Sequence, residues 1–508
     1  MINFYPKLLS IALMLPIGAV AQTSAGLQVV EQTLQDPENQ PRPVFPIPSK
    51  RQMMWHETEY YAFFHYGMNT YTGLEWGYGN EDVKRFAPTA APNPRQWVQA
   101  AKKAGMRGGI AVVKHHDGFC LWPTSTTDHN VSNSGGLGAS VNIPRDFAAA
   151  SEAEGMKYGF YISPWDRNSA YYGDGTNRYV TDVFLKQVEE ISQYGNDQFE
   201  MWFDGANGGN GWYGGANTTR SIDEDTYYDK PNTLDAIHKY QPNCVVWGPQ
   251  GEARWIGNEH GYAGVTNWNN TYYLQNANGN NGHQEGWGWF PGESDAKATS
   301  HGWFWHEGER VTSAERLFQM YLETVGRNAT LILNFPPDKT GSLPAATVAR
   351  MEELGRMLYN RLGNDLARKA GVTIEASNTR EPGVTRTYEA RNIIDGDSTT
   401  YWAPVDGAVT NNVITITWPE NVIARYVALQ EYIRLGQRVK NFKIEVSTDG
   451  TNFTQKAADI CTTIGYKRII PLNGMTNRSY DGGTSIKALR ITLLDGRSIP
   501  TLHTVAVY

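Results

Sequence analysis

The chain has 508 residues, 40% of them hydrophobic and 19% charged, with a formal net charge of −7. A length prior of about 100–200 residues per domain allows two to four domains, and the apolar share supplies an ordinary soluble core. No run of like charges suggests a nucleic-acid or anionic-membrane surface, and three scattered cysteines (Cys120, Cys244, Cys461) make neither a disulfide framework nor a zinc pattern.

The N-terminus carries Lys7, an apolar run from Leu8 to Val20, and small residues Ala19 and Ala21 before Gln22. Charged start, short apolar centre and A-x-A end predict a secretory signal peptide over residues 1–21. The run is too short to span a bilayer permanently, and no cysteine follows it to take a lipid anchor. The expected mature protein is therefore exported, periplasmic or secreted. Residues 22–50 are polar and end in Pro41, Pro43, Pro46 and Pro48, which reads as a leader wrapping the surface.

From 51 to 365, short apolar runs alternate with helical patterns. The runs are Tyr61–His65, Gly109–His115, Tyr158–Ser163, Phe199–Asp204, Asn243–Gly248 and Thr330–Phe335. Between several of them lie Pro94–Ala104, Phe147–Gly155, Val180–Tyr194 and Ser313–Val325. Such alternation, with polar residues at strand ends, predicts a (β/α)8-type barrel. The segment Asn267–Glu309 interrupts it with many Gly, Asn and Trp, as pocket-building loops do. After Lys369 the period becomes two, in Val413–Trp418, Ile423–Glu431, Asn441–Ser447, Arg468–Pro471 and Ala488–Leu493. That predicts an all-β sandwich over 373–508.

The candidate site lies at the barrel's strand ends. His65 ends the first run, His115 and His116 the second, Tyr161 lies near the end of the third, and Asp204 ends the fourth. Polar side chains ending successive parallel strands converge on one face. A lone histidine is usually a satisfied core group and a His-His pair often binds metal. No HExxH or Cys/His cluster accompanies these, and hydrogen bonding to hydroxyls fits them better. Neither GxGxxG nor GxxxxGK[ST] is present, so hydride and phosphoryl chemistry lack support. A second carboxylate comes from Arg254-Trp255-Ile256-Gly257-Asn258-Glu259. Two carboxyls in one pocket are what retaining glycoside hydrolysis needs, about 5–5.5 Å apart. The 16 Trp and 28 Tyr, many beside Gly or Asn, suit sugar rings, although any single ring is more often core.

Five elements in order carry a resemblance: Phe64-His65-Tyr66-Gly67, Glu75-Trp76-Gly77, Lys114-His115-His116-Asp117-Gly118-Phe119, Trp202-Phe203-Asp204-Gly205 and Gly326–Pro337. Residues 50–365 resemble the α-L-fucosidases of glycoside hydrolase family 29. The resemblance implies Asp204 as nucleophile and a fucose subsite lined by His65, Glu75, Trp76, His115, His116, Tyr161, Trp202 and Arg254. It implies no cofactor for catalysis and fucosylated oligosaccharides or glycoconjugates as partners. Gly248-Pro249, the 254–259 element and Trp289–Trp305, with Glu293 and Asp295, resemble the branch acting on α-1,3/1,4-fucosylated, Lewis-type glycans. That branch implies Glu259 as acid/base, with Glu252 and Glu293 as rivals. An insertion at Asn207–Asn217 is expected near the pocket. Broad aryl, α-1,2 or α-1,6 activity, or a non-catalytic secreted glycan-binding protein, stand as alternatives.

Asn392–Asp397, with Tyr401-Trp402, resembles the opening of a discoidin-like module of the family 32 carbohydrate-binding type. Such modules often hold a structural calcium, which leaves two readings of Asp395 and Asp397: cation ligands, or carboxylates that only shape a turn.

Overall fold

The computed structural model describes residues 36–248, 251–272, 279–473 and 482–508. The signal segment 1–21, residues 22–35 of the leader and Pro249 lie outside the described residues.

Eight parallel strands form the first unit: β1 (Tyr60–Phe64), β2 (Gly108–Lys114), β3 (Lys157–Ile162), β4 (Gln198–Phe203), β5 (Val245–Trp247), β6 (Arg254–Trp255), β7 (Gly292–Lys297) and β8 (Ala329–Asn334). Their order is β5-β4-β3-β2-β1-β8-β7-β6, and a parallel bridge between Trp247 and Ala253 joins the two ends. The barrel is thus nearly closed. β1 to β5 and β8 are buried on both faces, which is why they read as almost unbroken apolar runs. The lumen is filled by Tyr61, Phe63, Ile110, Val112, Tyr161, Phe199, Trp202, Val245, Trp247 and Ile332.

Helices α1 (Lys50–His56), α2 (Pro94–Lys103), α3 (Ile143–Glu154), α4 (Leu185–Ser192), α5 (Lys230–Tyr240), α6 (Ala314–Thr324) and α7 (Ala345–Leu362) belong to the same unit. α3 shows how the sequence punctuates them. Asn142 caps the Arg145 amide, Pro144 occupies the first turn, and Gly155 ends the helix at φ +65°. The helix therefore begins at Ile143, ahead of the Phe147 start that periodicity suggested. Among the described residues the β6–β7 connection holds only a two-stranded ribbon, Asn270–Thr271 with Gly288–Trp289.

The second unit is an antiparallel sandwich. One sheet runs β9 (Thr373–Ala376), β10 (Asn412–Ala424), β15 (Thr484–Gly496), β12 (Val439–Ser447), β13 (Thr454–Lys456). The other runs β14 (Arg468–Pro471), β11 (Tyr426–Glu431), β16 (Leu502–Val507). The Ile423–Glu431 run, read from sequence as one strand, breaks at Arg425 and its two parts enter different sheets. Trp402, Ile416, Trp418, Leu429, Phe442, Ile491 and Val505 fill the core between them.

The described part of the leader lies along this sandwich. The Val44 amide donates to Leu435 O at 2.8 Å, and Glu38 accepts from the Thr385 and Arg386 amides. The sandwich in turn is laced to the barrel just before β8, where Asn328 N donates to Lys467 O and Ile469 N to Gly326 O, each at 2.9 Å.

Candidate active site

The C-terminal ends of the barrel strands surround a cavity of about 330 Å³. Its lining includes His65, Trp76, His115, His116, Tyr161, Trp202, Asp204 and Glu259, so eight of the ten residues expected at the site meet there.

Asp204 follows directly on β4. Its Oδ2 accepts from the Tyr161 hydroxyl at 2.9 Å and its Oδ1 from the Ala206 amide at 2.8 Å. His116 Nε2 stands 3.8 Å from Oδ2. Two donors fix the carboxylate's plane while its side chain stays 25% exposed to the cavity. Tyr161 is held by stacking on Trp202, 5.1 Å between centroids, and Trp202 stacks on Trp247 at 3.8 Å. These rings form an apolar floor with few rotameric choices.

Two of the histidines are oriented by partners behind them. His65 Nδ1 lies 2.8 Å from Asn334 Oδ1, and Asn334 spends its NH2 on Trp303 O. The amide oxygen must accept, so His65 carries its proton on Nδ1. The Ser163 hydroxyl donates to Trp165 O, so its oxygen accepts from His116 Nδ1 at 2.6 Å. That leaves each Nε2 as a bare acceptor. Burial keeps all three imidazoles neutral: His65 is lowered to about 3, His116 to about 4, and His115 falls well below its ordinary value. Lys114 and Asp117, inside the same Lys-His-His-Asp-Gly stretch, point away from the cavity. Lys114 Nζ reaches Asp166, Tyr179 and Gln187, while Asp117 accepts from Asn69 and the Phe119 amide. They brace the strand end.

Glu259 sits on a loop pinned to β7 by the Ile256 amide donating to Glu293 O and by a bridge between His260 and Ala296. Its Oε2 lies 3.2 Å from Lys297 Nζ. The rivals stand elsewhere. Glu252 is tied to Arg51 at 2.6 Å and faces His238 at 3.5 Å, outside the cavity lining. Glu293 is fully buried under the floor, accepting from Trp202 Nε1 at 2.7 Å.

Two expected subsite residues do not reach the cavity. Arg254 is buried and turned outward, donating to Gly279 O, Phe290 O, Asn267 Oδ1 and Trp268 O. Alternation along a strand sends the next side chain to the opposite face, so Trp255 lines the cavity instead. Glu75 accepts from the Trp303 and Phe304 amides and contacts His306, holding the loop that presents Trp303. A Cβ at Gly302 would fall 1.6 Å from Glu75 Oε1, so a side chain there would push the Glu75 carboxylate off these amides.

Sequence reasoning did not place Phe63, Trp247, Trp255 or Glu224 at the site, while Asp295 and Trp303 come from the Asn267–Glu309 stretch that it read as pocket-building. Asp295 is buried, accepts from Trp255 Nε1 at 2.8 Å, and is raised well above the carboxylate range by burial. Glu224 follows the inserted segment, which forms a hairpin of Gly209–Gly211 with Thr218–Arg220; Asn207 holds its carboxylate at 2.8 Å. Among the described residues no three His, Cys, Asp or Glu side chains gather as a metal-binding group.

In the sandwich, Asp395 and Asp397 each accept from backbone amides of their own turn. One further feature goes beyond turn shaping. Thr400 Oγ1 lies 2.7 Å from Asp395 Oδ2, 3.1 Å from Asp397 O and 3.5 Å from Asn392 O. A hydroxyl has one proton and cannot serve three acceptors. This all-oxygen donor set fits a calcium ion.

Comparison with known proteins follows the same division. A family profile described as Alpha-L-fucosidase matches residues 44–361, and one described as F5/8 type C domain matches residues 373–502. Alpha-L-fucosidase 1 of Arabidopsis thaliana is 32% identical over 478 residues, covering 92% of this chain and 88% of its own. The crystal structure of a putative alpha-L-fucosidase from Bacteroides thetaiotaomicron superposes with a TM-score of 0.80 at 30% identity, covering 92% and 99% of the two chains. A family 29 fucosidase of Ruminococcus gnavus, solved in complex with fucose, also gives 0.80 at 30% identity, covering 92% and 96%.

Proposed function

The chain belongs to the alpha-L-fucosidase family and is a glycoside hydrolase of that family with a C-terminal F5/8 type C domain; from that premise we propose that it releases fucose from α-1,3/1,4-fucosylated, Lewis-type glycans by double displacement. The observation that carries this reading is that Asp204 and Glu259 line one cavity of about 330 Å³, the size of a monosaccharide site with room at its mouth.

In the first half-reaction the Asp204 carboxylate, held by Tyr161 and Ala206, attacks the anomeric carbon. Glu259 gives its proton to the departing glycan oxygen. In the second, Glu259 takes a proton from water, which displaces fucose from Asp204 with net retention. Lys297, 3.2 Å from Glu259, partners the carboxylate when it acts as base. The bare Nε2 atoms of His65 and His116 accept sugar hydroxyls, and the Trp202 floor takes an apolar sugar face.

The linkage preference is supported by the cavity mouth. Trp76 is 47% and Trp255 39% exposed there, rings positioned to stack on a second and third sugar. A branched glycan offers two sugars beside the fucose and a linear one offers fewer. Lewis-type trisaccharides should therefore exceed α-1,2- and α-1,6-linked fucosides in kcat/KM by at least about tenfold, roughly 1.4 kcal/mol. Equal rates across such a panel, read by released fucose, would leave a broad-specificity fucosidase as the better description.

Export by a signal peptide over residues 1–21 and a calcium ion in the sandwich complete the proposal. Asn392 O, Asp395 Oδ2, Asp397 O and Thr400 Oγ1 would hold the ion, which ties a loop and plays no part in bond cleavage. Chelation should thus lower the melting temperature, reversibly on adding calcium, and leave turnover at moderate temperature unchanged. Loss of turnover restored by zinc would reverse the assignment and make the histidines ligands.

A further inference from the structure

The inserted segment after Asp204 has no part in the mechanism above, yet it is bonded to the cavity's rim at several points. Its hairpin, Gly209–Gly211 with Thr218–Arg220, meets Arg167 in the loop that follows β3. Arg167 is buried, and its guanidinium forks between two segments. Nε donates to Asn210 O and Nη2 to Asn210 Oδ1, each at 2.8 Å, while Nη1 donates to Gly77 O. Gly77 directly follows Trp76, the most exposed ring lining the cavity. A planar fork of this kind fixes both partners in one geometry, which an ammonium on a flexible stem does less well.

Further contacts run the same way. Trp212 N donates to Tyr78 O at 3.0 Å, tying the hairpin to the backbone two residues beyond Trp76. Trp165 Nε1 donates to Tyr213 Oη at 2.9 Å, and that hydroxyl donates to Gly209 O at the same distance. Trp76 rests edge-on against Trp165, 5.6 Å between centroids, and Arg167 lies 5.1 Å over the same Trp165 ring. Tyr213 itself stands at φ +44°, a left-handed backbone that a bulky residue keeps only where its surroundings enforce it. The hairpin thus fixes both the backbone beside Trp76 and the ring against which Trp76 rests.

We propose that the hairpin, acting through Arg167, holds Trp76 in the orientation that receives the sugar beyond fucose, which makes Arg167 a positioning residue for the aglycone. A tryptophan on an untethered loop would have to be ordered by each incoming glycan, at an entropic cost that falls on binding. A ring fixed beforehand avoids that cost, and only substrates long enough to reach it gain. Fucosyl fluoride, whose leaving group is a single atom, cannot reach it.

This rests on Trp76 meeting the second sugar as proposed above. The test measures kcat and KM on a Lewis-type trisaccharide and on fucosyl fluoride, for wild type, Trp76→Ala, Arg167→Met and the double variant. Arg167→Met keeps an unbranched stem and removes the fork; the fork's partners are neutral, so no buried ion is left alone. We expect it to raise KM for the trisaccharide roughly tenfold with kcat little changed, the signature of lost binding rather than lost chemistry. Fucosyl fluoride should be turned over as by wild type. In the Trp76→Ala background the same change should cost less than about twofold, because the ring it holds is gone. A trisaccharide KM unchanged in Trp76→Ala would end the reading of the mouth and this proposal with it. A raised KM in Trp76→Ala, with Arg167→Met sparing it, slowing both substrates alike or adding in full, would overturn the proposal and leave that reading standing. Should Arg167→Met not fold, Tyr213→Phe, which takes the hydroxyl from Trp165 Nε1, decides instead. The same selective rise in KM is expected, and a uniform loss or none would overturn the proposal.

Discussion

Asp204→Ala should abolish turnover of aryl fucosides and glycans while leaving the protein folded. The carboxylate stands where β4 ends, oriented by Tyr161 Oη at 2.9 Å and Ala206 N at 2.8 Å, and nothing else in the cavity combines that placement with a nucleophilic oxygen. Glu224 and Asp295 also line the cavity, but each is held by another donor, Asn207 and Trp255. The expected fall in kcat is at least roughly 10⁴-fold, the scale on which a covalent nucleophile fails when nothing replaces it. Stability should hardly change. The Asp204 side chain is a quarter exposed, so its removal opens no sealed cavity, and it releases Tyr161 to a sugar hydroxyl or water. Near wild-type rates with an unchanged melting curve would remove Asp204 from the chemistry.

Glu259→Gln should split substrates by leaving group. A glutamine has no proton to give, so natural oligosaccharides, whose departing alkoxide needs one, should lose the most. Aryl fucosides with acidic phenols leave unaided and still form the fucosyl-enzyme. Its hydrolysis then stalls for want of a base, and azide, which needs no deprotonation, should restore release. The product expected is fucosyl azide of retained, α configuration. The loss on glycans should be about 10²–10⁴-fold, the usual reach of general acid–base assistance. The same pattern in Glu224→Gln, with Glu259→Gln turning over normally, would shift the role to Glu224, just beyond the inserted segment.

Most of the site was legible because parallel strands advertise their ends. Apolar runs closing on His65, His115-His116 and Asp204 needed only the rule that such ends share a face. What escaped notice has two physical causes. β7 reads Gly-Glu-Ser-Asp-Ala-Lys, polar because alternate side chains enter the lumen and cavity as Glu293, Asp295 and Lys297. Hydrophobicity cannot find such a strand. The two-residue β6 is too short for periodicity to assign its faces, so nothing local corrected the resemblance that put Arg254 at the subsite. Glu75 acts at one remove, through backbone amides of residues more than two hundred positions away, a contact no local pattern encodes.

The lacing before β8 and along the β6–β7 connection bears on how this architecture can be inherited. Gln437 accepts from Asn269 N at 2.8 Å and donates to Asn267 O at 3.2 Å, Arg468 reaches Val265 O at 2.6 Å, and Tyr466 N donates to Asn328 Oδ1 at 2.7 Å. Cutting the chain between the units would strand these barrel groups, each costing about 1–3 kcal/mol if it stayed buried and unpaired. The sandwich is therefore no interchangeable cassette. A lineage could lose or replace it only by rewriting the barrel's own edge, so the two halves of this hydrolase are bound to diverge together.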